Sequence, residues 1–387
     1  MSASGLTPTQ IEVRDSVQKI CRAFPDEYWA EKDRKSEYAG DLHRELASAG
    51  YLGICMPQEL GGTELGVADA TVMVETISES GAGIAGSQTV HANVYATIPI
   101  LRFASASQKE RYLPLIISGK ERTCFGVTEP DTGLDTLKLK TKAERKTDSG
   151  SGKVRYVVSG QKIWITNAQA ADRMVLLART TPLEEVNKAK PASGLSLFYC
   201  DSSLSSQYIR WAGVFFDKFE VEEEDLIGSE GDGFKIILHG MNAERCLLVG
   251  EALGLGYAAL RRASAYARAR HVFGRAIGQN QAIQHPLAQS WCALEAAKML
   301  MLHAARQCVV SFGGCMYECM HADGSGGLFS VRARFDEVIG VGKLGDNGHR
   351  EDDSDARAEV GALCNAAKYV AAEAAFEACE RAGESVH

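Results

Sequence analysis

The chain has 387 residues, 45% hydrophobic and 24% charged, with a formal net charge of −8. This is a globular composition with room for two or three domains, which excludes disordered and collagen-like classes; the acidic balance offers nothing to nucleic acid or an anionic membrane, so a small-molecule partner is expected. No run reaches the roughly 18 apolar residues of a membrane span, the opening MSASGLTPTQ has no signal- or transit-peptide pattern, and eleven cysteines without regular spacing point to reduced thiols inside a cell.

Residues 1–121 read as an N-terminal helical domain. Thr7, Pro8 and Gln10 offer an N-cap, a first-turn proline and a capping-box partner, and Ser107 with Glu110 repeats the device. Residues 122–228 change to a period of two in KVRYVVSG, QKIWIT, RMVLLART and GLSLFYC, the pattern of a central β-sandwich or barrel. Helical period returns over 229–387, predicting an incomplete C-terminal bundle interrupted by an aperiodic, glycine-rich insert at 309–359, expected to be poorly ordered. The fold class is α+β multidomain.

Three motifs carry little. GAGIAG at 81–86 matches a dinucleotide fingerprint, but the preceding ADATVMVETISES reads as a helix, so a helix-connecting loop is expected. Cys315, Cys319 and His321 in CMYECMH lack a second ligand cluster, and no metal site is expected. His91 lies in a helical run, where a histidine is more often packed than catalytic.

Two stretches do more. CFGVTEPDTGLDT (124–136) combines a strand end with a turn rich in Pro, Gly and Asp, a shape that presents backbone N–H groups and hydroxyls. QKIWIT then sets Trp164 and Thr166 on one strand face, an aromatic beside a hydroxyl suited to a flat heterocycle; an ordinary β core with a surface loop fits the same spacing. In GMNAERCLLVGEALG (240–254) the carboxylate of Glu244 falls on the stripe of Met241, Leu247 and Leu248. The adjacent Arg245 cannot face it on a helix, and Gly240, one turn earlier, is read as leaving room for a ligand chain.

VTEPDTGLDT, GQKIWITNA and ARARHVFGRAIGQNQAIQ together resemble the acyl-CoA dehydrogenases, a likeness running over about 7–308 and 359–382. The resemblance implies FAD held by Phe125, Val127 and Thr128 from the first motif and by Trp164 and Thr166 from the second, with Thr166 near flavin N5. It implies that Arg270, Val272, Phe273 and Gln281 reach the FAD of a neighbouring subunit in a homotetramer or homodimer, and that Asn242 and Arg245 line the acyl-CoA site. Leu134 departs from the family's serine in the phosphate loop, leaving Thr132 or Thr136 as substitute hydroxyls.

The implied reaction is α,β-dehydrogenation of an acyl-CoA thioester, with electron-transfer flavoprotein as acceptor and a mitochondrial or peroxisomal setting. Glu244 stands at the base position used by the isovaleryl- and long-chain-specific members; a carboxylate of ordinary pKa about 4.3 becomes a usable base when burial raises it toward roughly 6–7. An acyl-CoA oxidase or flavin monooxygenase on the same scaffold is the alternative enzyme. The ending ACERAGESVH stops short of the family's Gly-Gly loop, so the other alternative is a truncated, incompletely spliced product unable to hold FAD.

Overall fold

The computed structural model describes residues 5–201, 209–210, 213–308 and 353–384. Seven helices come first: α1 (Pro8–Cys21), α2 (Asp26–Lys35), α3 (Gly40–Ser48), α4 (Val67–Ile77), α5 (Gly83–Tyr95), α6 (Thr97–Phe103) and α7 (Ala106–Ile117). Thr7 opens α1 through the expected capping box: its Oγ1 accepts from the Gln10 backbone N–H at 3.2 Å and its own N–H donates to Gln10 Oε1 at 3.1 Å. The second box corrects the expectation, because Ser105 and Gln108 cap α7 in place of Ser107 and Glu110. Gln108 also donates to the carbonyls of Glu224 and Leu226 at 2.7 and 2.9 Å, a tertiary attachment invisible to local pattern.

The GAGIAG stretch joins α4 to α5 through one π turn, Ser78–Ala82, with Gly81 at φ 117. A Cβ at Gly81 would lie 2.5 Å from Asp26 Oδ1, so packing against α2 explains this glycine. A helix precedes the motif, and the strand a dinucleotide fingerprint needs is missing there.

Eight strands follow: β1 (Thr123–Gly126), β2 (Lys142–Thr147), β3 (Val154–Ile163), β4 (Arg173–Arg179), β5 (Leu195–Asp201), β6 (Ile209–Arg210), β7 (Gly213–Glu222) and β8 (Leu226–Ile227). They form one sheet in the order β6-β7-β3-β2-β4-β5-β8, with β1 added in parallel to β4. Alternation along β4 serves two cores: Val175 and Leu177 face α6, α7 and their neighbours, while Met174, Leu176 and Ala178 face a second core. That second core also takes Tyr156 and Val158 of β3 and Phe216 and Phe219 of β7, so the sheet curls round its own apolar face as a barrel-like body.

The remaining described elements are α8 (Gly233–Ala269), the hairpin β9 (His271–Val272) and β10 (Arg275–Ala276), α9 (Gln281–Gln307) and α10 (Asp353–Glu384). One hydrophobic cluster runs from Val13 through Leu247 and Met301 to Ala378, so the first and last helices bury a common core on either side of α8. Glycines let α8 lie against other backbones: a Cβ at Gly250 would meet the Thr71 carbonyl oxygen at 2.6 Å and one at Gly254 the Glu75 carbonyl oxygen at 2.4 Å. The proposed insert is shorter than expected at its far end, since 353–359 belong to α10; the rest of it, with Cys315, Cys319 and His321, lies outside the described residues.

Candidate active site

The loop after β1 is shaped by a buried ion pair. Glu129 accepts from the backbone N–H groups of Lys140 and Thr141 at 2.7 and 3.0 Å, and its Oε1 stands 2.9 Å from Lys162 Nζ. Lys162 also donates to the Val127 carbonyl at 2.9 Å. Burial pushes the Lys162 ammonium down to about 8, against the attraction of Glu129. The Ile163 N–H donates to the Thr128 carbonyl at 2.9 Å, so the end of β3 is stitched to the same loop. Phe125, Val127 and Thr128 are thereby brought beside Trp164 and Thr166.

Trp164 and Thr166 do not share a strand face. β3 ends at Ile163 and Trp164 turns left-handed at φ 58, a conformation costly for a bulky side chain. Ile165 is buried, and Trp164 and Thr166 on either side of it are exposed, Trp164 to 75%. The pair is presented outward by a strained turn instead of by alternation. Asn167, also left-handed at φ 60, donates from Nδ2 to the Gln88 carbonyl at 2.6 Å and ties this turn to α5. In the first loop Leu134 is fully exposed, Thr132 is buried and Thr136 half-buried, which leaves Thr136 as the more accessible hydroxyl.

From Phe125 an aromatic ladder crosses to the helices. Tyr95 stands edge-on to Phe125 with centroids 5.2 Å apart, and His91 stands edge-on to Tyr95 at 5.0 Å. Burial, then the charge of Glu244, with Cys124 and Glu251 adding, pushes the Tyr95 phenol well above its ordinary value. Both of these carboxylates belong to α8. They are seven residues apart, two helical turns on one face.

Those carboxylates differ. Glu251 is buried, its Oε1 2.8 Å from His91 Nδ1, with both oxygens 2.9 Å from Gln88 Nε2. Glu244 keeps 23% of its side-chain surface and has Lys368 Nζ of α10 at 4.0 Å. The expectation of a glutamate sunk in an apolar stripe is corrected on this point: Met241 and Leu248 are themselves only half-buried there. Gly240 is corrected too. A Cβ at that position would lie 2.5 Å from the Tyr95 carbonyl oxygen, so this glycine admits the α5 backbone and not a ligand. Beside Glu244, Arg245 Nη1 donates to Asn242 Oδ1 at 2.7 Å, and both residues are half-buried.

Family profiles cover the chain in the order of these elements. The profiles described as acyl-CoA dehydrogenase N-terminal, middle and C-terminal domain match residues 7–120, 124–214 and 231–311. An acyl-CoA dehydrogenase of Bacillus subtilis is 33% identical over 306 residues, 78% of this chain and 79% of that protein. The chain belongs to the acyl-CoA dehydrogenase family. The mitochondrial isovaleryl-CoA dehydrogenase of Pongo abelii is 29% identical over 320 residues, 79% of this chain and 73% of its own length. Among solved structures, a chain of the electron transferring flavoprotein structure of Acidaminococcus fermentans superposes with TM-score 0.71 at 26% identity, covering 100% of this chain and 94% of that one. An acyl-CoA dehydrogenase of Bacillus anthracis complexed with FAD matches in fold, with TM-score 0.73, 22% identity and coverage of 100% and 61%.

The remaining acyl-CoA dehydrogenase motif stands apart within one chain. Arg270 ends α8, 26 residues beyond Glu244 and so about 39 Å along the helix at 1.5 Å per residue. Val272 and Arg275 pair across a two-residue turn of Phe273 and Gly274, at φ 53 and 76, the doubly left-handed geometry of a tight hairpin. Phe273 is fully exposed at the tip and Gln281 is exposed at the start of α9. These four residues are not brought to the Trp164 turn of their own chain. Sequence reading also missed Gln88, Tyr95 and Glu251. Glu251 alone left a signal, as a second carboxylate one heptad after Glu244.

Proposed function

We propose that this chain catalyses FAD-dependent α,β-dehydrogenation of an acyl-CoA thioester, with Glu244 removing the α-proton. The observation that carries this reading is that the ladder Phe125–Tyr95–His91 leads from the loop joined to Trp164 to Glu251 on α8, on the helix face that also carries Glu244 two turns earlier. The exposed, strained Trp164, with Thr166 beside it, is the cradle that fits a flat heterocycle, and Phe125, Val127 and Thr128 complete it. When bound there, FAD supplies the two-electron acceptor for the β-hydrogen.

The chain's own groups do the rest. Among the described residues Glu244 has one distant cation, Lys368, as its ion-pair partner and keeps part of its side chain in water, as suits a group that must take a proton. A thioester lying over it excludes the remaining water, and a carboxylate stripped of water is a stronger base. Asn242 and Arg245 line the acyl-CoA side, and the Thr166 hydroxyl orients the flavin ring. Arg270, Val272, Phe273 and Gln281, exposed and remote from their own Trp164, serve the FAD of a neighbouring copy in a homodimer or homotetramer; the planar guanidinium of Arg270 suits a pyrophosphate. Electron-transfer flavoprotein as acceptor and a mitochondrial or peroxisomal setting belong to the same proposal; the mitochondrial isovaleryl-CoA dehydrogenase relative is in keeping with the first of these settings.

Solvent exchange at the α-carbon tests the base directly. In D2O, Glu244→Gln should lose exchange of butyryl- or isovaleryl-CoA α-protons by about 10²–10⁴-fold while FAD stays bound. Undiminished exchange would remove Glu244 from this role.

A further inference from the structure

Three cysteines from three helices meet away from the aromatic ladder. Cys246 lies on α8, Cys364 on α10, and Cys308 caps the end of α9. Cys246 Sγ is 3.6 Å from Cys364 Sγ, Cys308 Sγ is 3.9 Å from Cys364 Sγ, and all three sulfurs lie within 4.8 Å of one another. Cys246 and Cys364 are buried and Cys308 is half-buried.

Thiolate sulfurs about 2.3 Å from a common zinc ion stand about 3.8 Å apart in tetrahedral geometry and about 4.0 Å apart in a trigonal plane. The separations of 3.6 and 3.9 Å lie close to those values, the first slightly short of them. The third closes by a side-chain adjustment at Cys308, at the helix end. Charge favours occupancy as well. Arg245 acts electrostatically on both Cys308 and Cys364, and its guanidinium balances the single negative charge left by three thiolates around a divalent cation and reduces the larger one left around a monovalent cation. Thiolate sets of this kind select soft d10 ions. No short motif announces the site, because its members are 118 and 56 residues from Cys364 in the chain.

We propose that Cys246, Cys308 and Cys364 form a three-thiolate site for a thiophilic d10 cation, zinc or copper(I), which ties α8, α9 and α10 together. The test uses the full chain, reduced and stripped of metal by a chelator. It is titrated with Zn2+ against a chromophoric competitor, with Cd2+ for its thiolate charge-transfer absorbance, and anaerobically with Cu(I).

One equivalent should bind, raise the thermal midpoint and protect Cys308 from alkylation. Cys246→Ser, Cys308→Ser and Cys364→Ser should each weaken it by about 100-fold or more, and Cys292→Ser, on the exposed side of α9, should not. Retention of Cu(I) with weak Zn2+ would assign copper, and the reverse zinc. Alkylation protection in the unmutated chain keeps the test decisive if a buried-thiol variant fails to fold. The proposal is overturned if no equivalent binds, if binding survives all three changes but is lost on Cys315→Ser with Cys319→Ser, or if Cys246 and Cys364 form a disulfide instead.

Discussion

Two glutamates on one face of α8, two turns apart, have opposite surroundings. Glu251 has lost its water and received fixed donors from His91 and Gln88 in return. Glu244 faces one lysine at the limit of ion-pair distance and stays partly wet. A carboxylate whose lone pairs are all engaged positions its neighbours; one whose lone pairs are open can take a proton. On the proposed function, the difference gives Glu251 a structural role and Glu244 a chemical one, although a hydrophobic-stripe argument treats them alike.

Breaking the buried side should give the larger structural effect. Glu251→Ala leaves His91 and Gln88 facing an apolar gap and should cost about 1–3 kcal/mol of folding free energy, read as a lower denaturant midpoint at unchanged slope. A smaller effect is expected from acid. Burial holds the His43 imidazole below its ordinary pKa, against the hydrogen bond from its Nδ1 to the Thr89 carbonyl at 2.9 Å. The unfolded chain then takes up this proton first, so the stability His43 contributes is complete above about pH 6.5 and is lost as pH falls toward the folded value. His43→Gln should flatten that part of the stability curve, measured by thermal melts between pH 5 and 7.

The exposed side should be nearly silent in stability. Lys368→Met removes a partner that is 45% exposed and 4.0 Å away, and should change folding free energy by less than about 1 kcal/mol. A change as large as that of Glu251→Ala would place Glu244 among the structural groups and erase the contrast.

The order of helices, sheet and helices was legible because hydrophobic period survives packing, and the Thr7 cap was legible because its partners are three residues apart. Side-chain pairing across the fold was not. His91 and Glu251 are separated by 160 residues, and each alone reads as an ordinary helix residue. Trp164 reads as a strand residue because alternation carries no information about a positive φ. Gly240 reads as room for a ligand because a missing side chain announces a close approach without naming what approaches. Ser105, two residues before Ser107, caps α7, and its partner Gln108 is also held by carbonyls of the β domain.

The contrast between the two glutamates is tested most directly by anaerobic mixing of FAD-loaded protein with isovaleryl- or butyryl-CoA, following loss of flavin absorbance in Glu244→Gln and Glu251→Gln side by side. Flavin bleaching should be abolished or slowed by about 10²–10⁴-fold in Glu244→Gln, with FAD content and melting point kept, while Glu251→Gln melts lower and still bleaches. Bleaching at the unmutated rate in Glu244→Gln would contradict the account.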